Sequence, residues 1–265
     1  YIDGKDLSPD VSAERNSLKD VVLFERLTNA VRRLNPWISE ENLHKVVRDL
    51  TMGQYTNLLE ANQTVWETLN NCVSVQQDIG SGNKGQTVHL IDFENPENND
   101  FVCVNQFTVS GPIQNIIPDI VLFVNGLPLT VIECKSPTKT NPKEAGIDQL
   151  LRYSNNRTPA DDEGAEKLFH FNQIMVSTSR YQAHVGTITS KSNHYLEWKD
   201  PYPCDVATLG DTPTAQEIMI QGLFTQTNFL DLIQNFVVFE PMDGKVIKKL
   251  ARYQQFRAVH KTIER

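Results

Sequence analysis

Asp119, Glu133 and Lys135 are the residues whose types and spacing can do chemistry. Asp119 follows Pro118 at the start of an apolar run, and Glu133 and Lys135 end the next one. Glu133 and Lys135 are two apart, so on a strand both side chains point to the same face. Two hard carboxylate oxygens suit Mg²⁺, which keeps several waters and also contacts phosphate. Such an ion lowers the pKa of a bound water and acts as a Lewis acid. Those are the needs of phosphodiester hydrolysis. A lysine ammonium is a compact charge on a flexible stem, suited to stabilising the phosphate or to orienting the water. Asp…Glu-x-Lys is common by chance, so the surroundings decide its weight.

Positioning these residues requires a hairpin. Residues 120–124 and 129–132 are strongly apolar, and Asn125-Gly126 between them is a tight-turn signal that permits positive φ. The turn brings the second run back beside the first, where Asp119 and Glu133 can converge on one metal ion. Three ionisable residues on a buried hairpin are costly without a metal or partners. Gln149 and Tyr153 come next. Their i, i+4 spacing puts them on one face of a helix expected over Glu144 to Tyr153. There Gln149 can bond a phosphate or a base, with Tyr153 supporting it, or the pair is simply a polar helix face.

Upstream, Leu18, Val21, Phe24, Leu27, Val31 and Leu34 form a helical stripe. Ser17 and Asp20 have capping-box spacing at its start, and Pro36 ends it. A second helix is expected after Ser39, with Glu40 and Glu41 in its first turn and Gly53 as its stop. A third spans about 57–70. Short runs rich in Val, Ile and Phe then read as strands: 73–75, 88–93, 101–109, 120–124, 129–132 and 171–177. Helices followed by strands, a helix and a strand indicate an α/β fold, a mixed β-sheet flanked by helices.

The composition of the 265 residues is that of an ordinary globular protein, with 39% hydrophobic and 22% charged residues. No uncharged apolar run of about 18 residues occurs, so no membrane partner is expected. Cys72, Cys103, Cys134 and Cys204 lack zinc-ligand spacing and suit a reducing, cytoplasmic setting. A net charge of −8 argues against a protein that coats nucleic acid by bulk charge. It leaves room for a local DNA site. The six histidines have no mutual ligand spacing and read as structural or solvated. Residues 80–85 are Gly-rich without the spacing of a phosphate loop, so a hairpin turn is expected there. Tyr195, Trp198 and Tyr202 flank Pro201 and read as a packed loop ahead of a DNA-stacking surface. Lys245, Lys248, Lys249 and Arg252 would share one side if helical, facing either DNA or solvent.

The segment PDIVLFVNGLPLTVIECKSP (118–137) resembles the nuclease motif of the type I restriction enzyme R (restriction) subunit, a member of the PD-(D/E)-x-K nucleases. LIDFENPENNDFVCVNQFTV (90–109), DQLLRY (148–153) and ARYQQFRAV (251–259) extend the resemblance over most of the chain from about residue 14. It implies a PD-(D/E)-x-K nuclease-like core with Asp119, Glu133 and Lys135 as catalytic residues and Asp119 and Glu133 as metal ligands. Gln149 and Tyr153 become the associated Q-x-x-x-Y element. A further acidic residue from the first core helix is implied, with Glu60 as candidate and Glu67 as rival. Family members usually carry a basic residue where Ile117 stands. Cys134 faces the other way and is assigned to packing.

The implied activity is Mg²⁺-dependent cleavage of double-stranded DNA, with modification and specificity subunits as partners. Residues 1–225 are expected to form the endonuclease domain. Residues 226–265 are expected to be the connection and the start of a truncated ATP-driven motor, so ATP enters only through that motor. The chain begins at Tyr1 and carries no Walker A motif, which reads as the nuclease end of a larger subunit. Two other readings stay open: a non-cutting DNA-binding module, and a docking module that joins a motor to partner subunits.

Overall fold

A computed structural model describes residues 1–80, 82–157 and 162–264. Its centre is a mixed sheet of seven strands. These are β1 (Ile2–Asp3), β4 (Phe101–Asn105), β7 (Ile120–Val124), β8 (Leu127–Cys134), β9 (Ile174–Ser179), β10 (Gln182–Gly186) and β11 (Leu196–Glu197), in that spatial order. β1 runs parallel to β4 and β8 parallel to β9, while the other neighbours are antiparallel. The parallel β8–β9 step needs a crossover, supplied by helices α4 (Pro142–Tyr153) and α5 (Glu166–Phe171). β8 and β9 are buried along nearly their whole length, as expected of strands covered on both faces. The mixed sheet flanked by helices agrees with the α/β expectation. Among the described residues, no helix is long and apolar enough to cross a membrane.

Helices α1 (Phe24–Leu34), α2 (Glu40–Thr51) and α3 (Leu58–Asn71) precede the sheet. Ser39 and Asn57 cap α2 and α3 by accepting from the backbone N–H groups of Asn42 and Glu60. The first helix is shorter than the stripe predicts, starting at Phe24 and not near Leu18. Buried Arg15 is the reason. Its guanidinium donates to the carbonyls of Leu18, Asp20 and Thr108 and lies 4.2 Å over the Phe107 ring. The Leu18 carbonyl also accepts from the Ser110 N–H, so 16–23 is held to Arg15 and to the distant 108–110 segment and wraps around the guanidinium.

The β2–β3 hairpin (Val73–Asp78, Asn83–Val88) confirms a turn around Gly80 and Gly82. Residue 81 lies outside the described residues. The strand expected over 88–93 is absent, because β3 ends at Val88. Leu90 and Ile91 are buried all the same. Asparagines replace a strand partner there: Asn35 takes up the N–H and carbonyl of His89, Asn125 the Leu90 carbonyl, and Asn99 the N–H and carbonyl of Asp92. The run at 101–109 is broken too. β4 stops at Asn105, Gln106 turns left-handed at φ 54°, and β5 (Val109–Ser110) forms a small hairpin with β6 (Asn115–Ile116). The strand predicted from Phe171 starts at Ile174, since Phe171 ends α5.

Helices α6 (Ala215–Leu223) and α7 (Gln226–Asn235) follow, and α7 buries Phe229, Leu230, Leu232 and Ile233. The basic stretch is a strand and not a helix. β12 (Val237–Met242) and β13 (Lys245–Leu250) form a hairpin turning at Asp243-Gly244, where both φ values are positive. Period two separates its lysines: Lys248 is buried, while exposed Lys249 pairs with Glu240. Helix α8 (Tyr253–Ile263) closes the described chain.

Candidate active site

Asn125 and Gly126 turn the β7–β8 hairpin with φ of 51° and 79°. Val124 lies opposite Leu127, a register that alone would set Asp119 against Ile132. A β-bulge beside Pro128 shifts the pairing, so Ile120 faces Ile132 and Asp119 comes level with Glu133. Proline cannot donate to a ladder and is confined to edges and bulges, which explains the position. A one-residue slip moves every side chain to the other face. The bulge therefore decides which residue Asp119 meets, and Pro128 is the sequence signal that reveals it.

Asp119 is fixed at both oxygens. Its Oδ1 accepts from the side-chain Nε2 of Gln106 at 2.9 Å, and Oδ2 accepts from the backbone N–H of Cys134 at 2.8 Å. Glu133 is 1% exposed. Its Oε1 accepts from Lys135 Nζ at 2.5 Å, and its Oε2 is buried with no hydrogen-bond partner. Burial pushes the Glu133 carboxyl up to about 7; the Lys135 hydrogen bond opposes this, and the Asp119 charge, with a hydrogen bond between the two carboxyls when Glu133 is protonated, adds to it. Cys134 packs against the core, and burial pushes its thiol up to about 11.

Lys135 Nζ also donates to Gln149 Oε1 at 2.7 Å. Gln149 Nε2 donates to the Tyr153 hydroxyl at 2.5 Å, which donates to the Ile117 carbonyl at 3.2 Å. The chain of bonds thus runs from Glu133 round to the residue before Pro118-Asp119. Gly146 lets α4 come close enough, since a Cβ there would stand 2.2 Å from Ser177 Oγ. The structure therefore brings together Asp119, Glu133, Lys135, Gln149 and Tyr153. The spacing did not single out Gln106, whose one signal is its place at the end of a strand.

Glu60 and Glu67 are not brought to this cluster. Glu60 sits exposed in the first turn of α3, where its carboxylate accepts from the N–H and hydroxyl of Thr56. Glu67 is exposed and accepts from Gln63. Among the described residues, no group of three or more His, Cys, Asp or Glu side chains is placed to hold a metal. Two carboxylates still fit Mg²⁺, which is usually held by one or two and keeps waters in its other positions. With both carboxyls ionised, Oε2 of Glu133 has no donor, and a cation shared with Asp119 would supply what it lacks, because a buried acceptor without a partner costs about 1–3 kcal/mol. Tyr195 and Trp198 are buried, and Trp198 packs on Tyr253 and Phe256, so the aromatic cluster is a packed loop.

The family model described as "Type I restriction enzyme R protein N terminus" matches residues 1–194. The chain belongs to this family. It is 34% identical over 267 residues to the "Type I restriction enzyme HindI endonuclease subunit" of Haemophilus influenzae, covering all of this chain and 25% of that protein. It is 28% identical over 283 residues to the "Putative type I restriction enzyme MjaIXP endonuclease subunit" of Methanocaldococcus jannaschii, covering all of this chain and 26% of that one. The chain thus spans about a quarter of the length of these relatives. The matched region of this R-protein family chain contains all of the Asp119–Tyr153 cluster.

Proposed function

We propose that the chain cuts double-stranded DNA in a Mg²⁺-dependent reaction, as the nuclease part of a type I restriction enzyme R subunit. The observation that carries this reading is the buried, unpartnered Oε2 of Glu133 on the strand opposite Asp119, with Lys135 on the same face. Both relatives are named as endonuclease subunits, which agrees with it. Asp119 and Glu133 would hold the Mg²⁺, which when bound supplies Lewis acidity and a water of lowered pKa. The hydrogen bonds on Asp119 keep its carboxylate from rotating. Lys135, held by Gln149, presents a proton at Nζ toward a phosphate oxygen or the attacking water. Gln149 and Tyr153 support Lys135 and reach no reacting atom themselves.

The wider setting belongs to the same proposal. Residues 1–225 form the endonuclease part, and 226–265 connect it to an ATP-driven motor, through which alone ATP acts. The modification and specificity subunits of a cytoplasmic restriction complex are the expected partners.

The test is cleavage of a plasmid by the 265-residue chain in Mg²⁺ or Mn²⁺, alongside calorimetry of the metal with and without a short duplex. Asp119→Ala should bind no metal, and Lys135→Ala should keep DNA binding and lose cutting. If wild type binds neither Mg²⁺ nor Mn²⁺ even with DNA present, the nuclease reading fails and the docking reading takes its place.

A further inference from the structure

Gln106 carries a non-glycine left-handed backbone, φ 54°, at the point where β4 leaves the sheet. That conformation costs an ordinary residue about 1–2 kcal/mol and persists only where the surroundings enforce it. Two contacts enforce it here. The Gln106 N–H donates to the Asp119 carbonyl at 2.9 Å, and Gly4 packs so closely that a Cβ on it would lie 2.2 Å from the Gln106 carbonyl. The result is that the Gln106 side chain turns back along its own backbone contact and donates from Nε2 to Asp119 Oδ1. Gln106 is exposed, so the bond is not needed to satisfy a buried group.

We propose that Gln106 is a positioning residue for metal binding: its left-handed backbone exists to aim one amide N–H at Asp119, fixing the carboxylate plane toward Glu133. The proposal rests on the nuclease reading above. With Cys134 N–H on the other oxygen, each Asp119 oxygen keeps a second lone pair for a cation while the group as a whole cannot rotate. Without Gln106, Oδ1 is free and the carboxylate can swing about its remaining bond. Such supporting partners of metal ligands are worth about 10–100-fold in metal affinity.

Two variants separate positioning from a structural role. Gln106→Gly removes the donor and also the backbone strain, because glycine adopts positive φ freely. Gln106→Met keeps the length of the side chain and its neutral charge and removes the donor. Mn²⁺ binding to the 265-residue chain is measured by calorimetry, with melting temperature beside it and Asp119→Ala as control. Both variants should bind Mn²⁺ about ten-fold more weakly than wild type, and Gln106→Gly should melt no lower. Wild-type Mn²⁺ affinity in both, with binding abolished in Asp119→Ala, overturns the proposal and leaves the nuclease reading standing. A glycine variant that melts well below wild type while Gln106→Met binds normally makes Gln106 merely structural, which also overturns it. If wild type itself binds no Mn²⁺ even with a duplex present, the nuclease reading fails and the proposal falls with it.

Discussion

Gln149 accepts a hydrogen bond from Lys135 at 2.7 Å, so the helix that follows the hairpin holds the lysine that ends it. The i, i+4 partner Tyr153 then holds Gln149 and reaches on to the Ile117 carbonyl. The Q-x-x-x-Y pair thus has a physical reading that does not need DNA contact. It closes a loop of hydrogen bonds around the two carboxylates and sets where the Lys135 ammonium stands.

Tyr153→Phe tests that reading. The substitution keeps the buried ring and removes the hydroxyl, leaving Gln149 Nε2 and the Ile117 carbonyl without this partner. The fold should lose about 1 kcal/mol, the net worth of an ordinary hydrogen bond. Cutting should fall about ten-fold, as for other groups that orient a site from behind. Binding of the duplex should be unchanged. Gel-shift and single-turnover cleavage measured on the same preparation would check both, and a loss of duplex binding would make Tyr153 a DNA contact instead.

Glu133→Gln should stabilise the metal-free fold at alkaline pH while abolishing metal binding. Burial holds the Glu133 carboxyl at about 7 against an ordinary 4.5. The folded state therefore binds more proton than the unfolded one between those values. Stability must fall as pH rises through that window. At pH 8 the cost is about 3 kcal/mol, and below pH 4 it vanishes. Thermal melts in chelator should place the glutamine variant above wild type at pH 8, with the gap closing by pH 5. Mn²⁺ should raise the melting temperature of wild type alone. Parallel pH profiles for the two proteins would show that Glu133 ionises in the fold without penalty.

Much of this site is legible in the sequence. Asn125-Gly126 announced the turn, and the i+2 spacing of Glu133 and Lys135 fixed their common face. Gln149 and Tyr153 were placed together by helical periodicity alone. What stayed hidden depends on contacts distant in sequence. Arg15 ties the carbonyls at 18 and 20 to that of Thr108, which holds the chain before Phe24 outside the first helix. Asn35, Asn99 and Asn125 satisfy a buried apolar segment that periodicity reads as a strand. Gln106 has no pattern that links it to Asp119, thirteen residues on. Pro128 was legible in principle, since a proline inside a buried strand already argues for a bulge. Lys248 is hidden because a helical projection groups lysines that the two-residue period of a hairpin separates.

Lys248 makes the last prediction. Its ammonium is buried and donates to Asn62 Oδ1 at 2.7 Å, Gln173 Oε1 at 2.6 Å and the Asn172 carbonyl at 3.3 Å. Its own carbonyl accepts from the hydroxyls of Thr187 and Thr189, so the β12–β13 hairpin is tied to the rest of the fold from both sides. No carboxylate is among these partners, and burial holds the amine well below the ordinary lysine range. The unfolded chain, with its lysine near 10.5, then binds more proton than the folded one. Lys248 must therefore make the protein gain stability as pH rises from the depressed value toward 10. Lys248→Met removes the titrating group and orphans its acceptors, so its absolute stability mixes two opposing effects. The difference in slope does not. Denaturant melts at pH 7 and pH 9.5 should show wild type gaining on Lys248→Met between them. Equal changes in the two proteins would mean that Lys248 stays charged throughout, held by three neutral oxygens alone.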